Sequence, residues 1–168
     1  LGGGGEARLF LNLREDKGYT YGAYSQLRDS HKTKALFKAS ASVRNIVTDS
    51  ATVQLLYEID RITNELVTDQ ELDIVKAKYV GSFVLSLEDP ANIARYALNI
   101  KTQNLDPEFY RLFLKNINAV TKEDIYRVAK NYFLSNQARV VVTGKGSEIL
   151  DALEKISFKG KVLKVSYF

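Results

Sequence analysis

Leu1-Gly-Gly-Gly-Gly-Glu-Ala-Arg-Leu-Phe10-Leu-Asn-Leu-Arg-Glu-Asp-Lys-Gly18-Tyr-Thr-Tyr-Gly-Ala-Tyr-Ser-Gln-Leu27 is the stretch whose reading decides the fold. Over residues 6–16, Ala7, Leu9, Phe10 and Leu13 recur at helical spacing with Arg8 and Arg14 on the rest of the surface, which predicts a short amphipathic helix. Gly18 ends it, at the place where a residue of positive φ commonly closes a helix. The tyrosine-rich run 19–27 then predicts a strand. Outward from there, residues 34–44 alternate cleanly. Ala35, Phe37, Ala39, Ala41 and Val43 share one face, and Lys38, Ser40, Ser42 and Arg44 the other. This is a half-buried strand, expected to pair with 19–27 across a turn at 28–32, and its small inner residues imply a helix packed close.

The middle of the chain is helical. Leu55, Leu56, Ile59, Ile62 and Leu66 repeat at three-to-four spacing, and Thr68 with Glu71 forms a capping-box signature. Asp89-Pro90 and Asp106-Pro107 each put a carboxylate at a helix N-cap and a proline at the first helical position, where the missing N–H costs nothing. Thr121 with Asp124 is a further cap. Helices are therefore expected over 49–67, 69–86, 90–103, 107–117 and 122–133. Residues 138–143 read as a strand bounded by Gly144, Lys145 and Gly146, followed by a helix over 148–155 and a last strand over 162–167. Two strands, a helical block, then strand-helix-strand is an α+β order. The expected architecture is a two-layer sandwich, with helices packed on one face of a mostly antiparallel sheet.

With 168 residues the chain suits one domain, burying roughly 70% of the surface it exposes unfolded. Hydrophobic residues make up 45% and charged ones 26%, the composition of an ordinary soluble globular protein and not of a disordered or collagen-like one. No run approaches the ~18 uncharged apolar residues that span a bilayer. The net charge of +4 is spread along the chain, so nucleic acid is not the expected partner. The chain has no cysteine, which removes disulfides and thiolate chemistry and leaves the compartment, periplasm or cytoplasm, open. Opening on Leu1 and four glycines, the sequence reads as a piece of a longer polypeptide.

Catalytic signals are sparse. The one histidine, His31, falls in the expected turn with no second histidine to share a metal, and zinc sites need three or four protein ligands. Neither a Gly-x-Ser-x-Gly elbow nor a Ser-x-x-Lys pair occurs. Gly2 to Gly5 open a helix and offer backbone N–H groups to an anion, but lack the Gly-Lys-Ser/Thr ending of a phosphate loop. Gly144-Lys145-Gly146 reads as a turn.

Residues 1–27 resemble the insulinase/pitrilysin family of inverzincin zinc metallopeptidases. That family reads roughly Leu-Gly-Gly, a small residue, Ser-Arg-Leu-Phe, then Leu-Arg-Glu-x-x-Gly-Leu-x-Tyr. Here Arg8-Leu9-Phe10, Leu13-Arg14-Glu15 and Gly18 stand in order, and Tyr21 follows Arg14 at the spacing of the family's Arg/Tyr pair. Ala7 replaces the usual serine and Tyr19 the usual leucine. The Thr68 helix start, the Val120 to Ile125 segment and the 138–144 strand are similar to the family's later pattern, so the resemblance extends over nearly the whole chain.

The resemblance implies a LuxS/processing-peptidase-like α+β domain over 1–168, a single domain of the family's C-terminal type whose opening strand and helix lie upstream. In that family two such domains or subunits close around a peptide; one carries His-x-x-Glu-His with zinc and the other supplies the Arg/Tyr pair. This chain has no His-x-x-Glu-His, so the resemblance makes it the non-metal companion. No residue here is catalytic alone and no cofactor is expected in this chain. Zinc is expected in the partner domain, Arg14 and Tyr21 at the transition-state site, and Tyr24 as a further substrate contact. Arg14 brings a permanent charge with a fork of donors and Tyr21 a phenolic O–H, both suited to a developing oxyanion. Two alternatives stay open at this point: a catalytically inactive structural or assembly subunit of the same fold, and an unrelated α+β binding module.

Overall fold

The computed structural model describes residues 1–28 and 33–166, so His31 and most of the expected turn lie outside the described residues, as does Tyr167. The chain divides into two compact units, Leu1–Glu65 with Ala129–Phe168, and Leu66–Val128. The fold class is α+β, with antiparallel sheets and helices.

In the first unit, α1 (Arg8–Phe10) continues directly into a π-helical segment, Leu11–Asp16. Strands β1 (Thr20–Leu27) and β2 (Phe37–Val43) pair antiparallel, with Tyr24 opposite Ser40 and Gln26 opposite Lys38. The Arg28 N–H donates to the Leu36 carbonyl at 2.9 Å beyond the last strand pair. A 3₁₀ turn, Asn45–Val47, leads into α2 (Thr48–Asn64). Alternation does what it forecast: Ala23, Ala39, Ala41 and Val43 turn one face of the hairpin inward. Leu9 and Leu13 from the first helix, and Ala51 and Leu55 from α2, pack on that face. The small strand residues let both helices approach. Leu9 and Leu13 are fully buried, and side chains of that size each contribute roughly 1.5–3 kcal/mol by leaving water.

Ahead of the helix, the Ser25 N–H donates to the Gly2 carbonyl at 2.9 Å. A Cβ on Gly2 would stand 2.4 Å from the Ser25 nitrogen, so only glycine brings the chain this close to β1.

The first helix also meets α2 along a polar seam. Asn12 Nδ2 donates to Glu58 Oε1 at 2.7 Å and to Gln54 Oε1 at 3.1 Å, and Arg8 pairs with Glu65 at 3.5 Å. Glu58 is 2% exposed, with Arg61 at 3.6 Å. At the chain's end, α7 (Gly146–Leu153) buries Ile149 and Leu153 with Ile156 and Val53. Glu148 on α7 accepts from Asn45 Nδ2 at 2.7 Å and pairs with Lys145 at 2.6 Å. A minimal hairpin follows, β3 (Ser157–Phe158) and β4 (Lys161–Val162), turned by Lys159 and Gly160 at φ 51° and 73°. Positive φ at both central residues marks the tight turn that matches strand twist. Lys159 pairs with Asp60 of α2.

Two strand expectations are corrected. Residues 138–143 join no sheet among the described residues, and the last strand stops at Val162 rather than running through 162–167. Before the 138–143 segment, Phe133 packs edge-on against Phe37 of β2 with ring centres 4.7 Å apart. Val141 is 90% exposed, and β character alone does not supply the inter-strand bonds that make a strand.

In the second unit, α3 (Asp69–Ser86) opens on a full capping box. Glu71 N–H donates to Thr68 Oγ1 at 3.1 Å and Thr68 N–H to Glu71 Oε2 at 2.8 Å. Next, α4 (Pro90–Thr102) has Asp89 accepting from Ala91 N–H at 2.9 Å, with Pro90 in the first turn. Val67 and Leu72 are buried, and half-buried rings join the helices: Phe83 stacks on Phe113 at 4.4 Å and Tyr96 on Tyr110 at 4.2 Å, and the Tyr96 hydroxyl meets Ser86 Oγ at 2.6 Å. The helix expected over 107–117 becomes regular only as α5 (Phe113–Ala119). The Asp106 cap does form, to Glu108 N–H at 2.7 Å, but the turns that follow are irregular where Tyr110 is drawn onto Tyr96. Last in this run is α6 (Lys122–Tyr132), within which the two units divide. It carries the reciprocal Thr121 and Asp124 cap, whose backbone bond from Thr121, aided by Arg127, holds the Asp124 carboxyl below its ordinary range.

Candidate functional site

Arg14 sits inside the π-helical segment Leu11–Asp16. Such segments are rare and frequent at functional sites. The segment closes through Gly18, at φ 62°, whose N–H donates to the Arg14 carbonyl at 3.1 Å, while Tyr19 N–H reaches the Leu13 carbonyl at 2.9 Å. This is the six-to-one and five-to-two closure of an ordinary helix end, each loop widened by one residue. Leu13 and Arg14 thus diverge: Leu13 is fully buried while Arg14 is 46% exposed. The guanidinium lies over the Phe10 ring, 4.7 Å from its centre, with Glu15 Oε1 at 3.4 Å from Nε. One residue beyond the segment, the Asp16 carboxylate at 2.7 Å holds the Lys17 ammonium above its ordinary range.

Tyr21 lies at a second irregularity. The register of β1 on β2 shifts between Thr20 and Ala23, a bulge at the start of the strand. Thr20 Oγ1 knits it, lying 2.7 Å from the Ser42 carbonyl and 2.9 Å from that of Gly22, and accepting from Gly22 N–H at 3.1 Å. Bulges re-aim side chains and are over-represented beside active sites. Here Tyr21 is 95% exposed. No hydrogen bond joins Tyr21 to Arg14 among the described residues.

Tyr24, half exposed, is held from two sides. Its ring centre is 6.0 Å from that of Phe10, tilted by 49°. Its other neighbour is Gly22, where a Cβ would stand 2.6 Å from the ring and 2.7 Å from the hydroxyl oxygen. The ring therefore folds back along the strand, and its hydroxyl lies over the residue next to Tyr21. The fold brings Arg14 and Tyr24 to one shared ring, Phe10, which is 9% exposed. Sequence reasoning placed Phe10 only on the apolar face of the first helix and assigned no role to Gly22 or Thr20. The signals for them were Phe10 inside the Arg-Leu-Phe motif and a lone glycine within a strand, which suggests a bulge or close approach.

The arrangement can donate. A guanidinium and phenols present N–H and O–H groups to an anionic or carbonyl oxygen. It does not fit a metal: no group of three or more His, Cys, Asp or Glu side chains is placed to hold one among the described residues. Of the opening glycines, Gly2 is the one whose place against β1 leaves no room for a side chain; a Cβ on Gly5 would make only ordinary contact with the Phe10 ring, and one on Gly3 would meet nothing within 4 Å. No helix of the described residues is long and apolar enough to cross a membrane.

Residues 1–79 match the family model of the peptidase M16 inactive domain. Over 153 residues the chain is 28% identical to an uncharacterized zinc protease of Mycobacterium tuberculosis, covering 88% of this chain and 34% of that protein. It is 26% identical over 151 residues to one of Bacillus subtilis, covering 88% and 36%. The chain thus spans about a third of the length of the curated relatives it matches. Among solved structures, a peptidase M16 inactive domain from Pseudomonas fluorescens superposes with a TM-score of 0.72 at 23% identity, over 78% of this chain and 31% of that one. A protein from Bordetella pertussis described as a putative zinc protease superposes with a TM-score of 0.68 at 17% identity, over 85% and 80%.

Proposed function

From the premise that the chain carries an inactive-type domain of the M16, or insulinase/pitrilysin, peptidase family, we propose that it is the non-metal half of a zinc endopeptidase. It pairs with a domain or subunit bearing His-x-x-Glu-His, which holds the zinc, and closes with it over a peptide. In this reading residues 1–168 act as one domain of the family's C-terminal type. The Arg14 guanidinium and the Tyr21 hydroxyl donate to the scissile carbonyl oxygen as negative charge develops on it, and Tyr24 contacts the peptide beside them. Donors fixed before reaction stabilise such charge strongly, because no reorganisation is needed at the moment it forms.

One observation carries the reading. The two motif residues each occupy a backbone irregularity, the π-helical segment and the β-bulge, and both side chains are exposed to solvent. A structural pair would more economically lie in regular elements with its side chains packed.

The test mixes the protein with its His-x-x-Glu-His partner and follows cleavage of an unstructured peptide. Losing one oxyanion donor typically costs about 100- to 1000-fold in turnover. Arg14→Ala and Tyr21→Phe are each expected to cause a loss of that size with assembly intact. Unchanged cleavage with both variants, or none with any version, replaces this reading with a scaffold or assembly role.

A further inference from the structure

Arg14 and Tyr24 come from different elements, a π-helical segment and a strand, yet one ring touches both. Phe10 lies 4.7 Å from the Arg14 guanidinium carbon and 6.0 Å from the centre of the Tyr24 ring. A flexible arginine on an exposed helix end would otherwise sample many rotamers and pay that entropy again each time it engaged a substrate. A ring beneath it narrows the choice. On the strand side, the space at Gly22 is what the Tyr24 ring occupies, and any Cβ there would overlap ring carbon and hydroxyl oxygen below 3 Å. The backbone at Gly22 shows no positive φ, so this glycine is required by the neighbouring ring and not by its own conformation.

We propose that Phe10 and Gly22 are positioning residues. Phe10 seats the Arg14 guanidinium, and Gly22 leaves the gap that lays the Tyr24 ring back toward Phe10, so that a guanidinium and a phenol are held about one ring. Neither residue touches substrate; each acts through another side chain. The inference rests on the proposed function for its effect on cleavage, and on the Phe10-centred contacts alone for its effect on structure.

The experiment therefore has two arms. In the first, kcat and KM are measured with the His-x-x-Glu-His partner for Gly22→Ala and Phe10→Leu, alone and in the Tyr24→Ala and Arg14→Ala backgrounds. Small misplacements of a positioned group can cost up to about 100-fold. We expect about 10- to 100-fold lower kcat/KM for each single variant. Gly22→Ala should add nothing once Tyr24 is Ala, Phe10→Leu should cost less once Arg14 is Ala than it costs alone, the remainder passing through Tyr24, and Phe10→Tyr, which keeps a ring, should restore activity. Full additivity in both cycles would overturn the proposal, since independent damage adds and shared action does not. The second arm needs no partner or peptide. Ring-current displacement of the Arg14 Cδ and Nε proton signals in the full chain should persist in Phe10→Tyr and vanish in Phe10→Leu, and Gly22→Ala should move the Tyr24 ring signals while leaving Leu9 and Leu13 unchanged. Unmoved Arg14 and Tyr24 signals overturn the proposal. If this arm succeeds while Arg14→Ala and Tyr21→Phe leave cleavage intact, the functional reading fails and the positioning of the side chains stands.

Discussion

Asn12 does at the residue scale what no apolar residue at its position could. Its amide donates 2.7 Å to Glu58, a carboxylate that is 2% exposed and whose second oxygen has no hydrogen-bond partner among the described residues. Leaving a buried acceptor without its donor costs about 1–3 kcal/mol. Asn12→Leu should therefore lower stability by about that amount in denaturant unfolding, and Asn12→Leu with Glu58→Met should cost less than Asn12→Leu alone, because the second change removes the buried acceptor that lost its donor. A double variant worse than the sum of the singles would show the seam is not organised around Glu58. The sequence made Leu9 and Leu13 readable as core from their spacing. It gave no hint that Asn12, on the same short helix, meets Gln54 and Glu58, since those contacts join residues more than 40 positions apart.

Among elements, those whose signals are local were legible and those that depend on distant pairing were not. Thr68 with Glu71, and Asp89 with Pro90, announce helix starts because cap and capped N–H lie within three residues of each other. The 138–143 strand failed the same kind of reading because a strand needs a ladder partner from elsewhere in the chain, which its own residues do not specify. The helix over 107–117 shortened because the Tyr110 ring packs on Tyr96 of another helix. The π geometry of Leu11–Asp16 was also hidden, since six residues are too few for hydrophobic spacing to separate π from α. At the start of α7, the Asn45 amide and then Lys145 hold the Glu148 carboxyl below its ordinary range. A depressed folded pKa adds stability that is present above the unfolded value, about pH 4, and is lost as pH falls through the lower folded value. Glu148→Gln should thus lower Tm at pH 7, and the gap to wild type should close below about pH 4. A gap that widens in acid would contradict this.

For the whole molecule, the proposed division of labour makes a simple statement about the chain by itself: it should bind no stoichiometric zinc and cleave no peptide. Metal analysis of the purified chain, with peptide cleavage assayed with and without chelator, checks both. One-to-one zinc, or chelator-sensitive cleavage, would place the chemistry here instead of in the partner. The π-helical segment carries a different consequence, one of counting. It holds one residue more than an α-helix would need to close the same loops onto Leu13 and Arg14, and each residue of an α-helix turns the chain by about 100°. Homologues can vary the identity of Leu11, Glu15 or Asp16 at little geometric cost. A one-residue deletion in Leu11–Asp16 would instead tighten the coil and swing whatever follows it around the helix axis, so a change of length there should cost more than a change of residue at Leu11, Glu15 or Asp16.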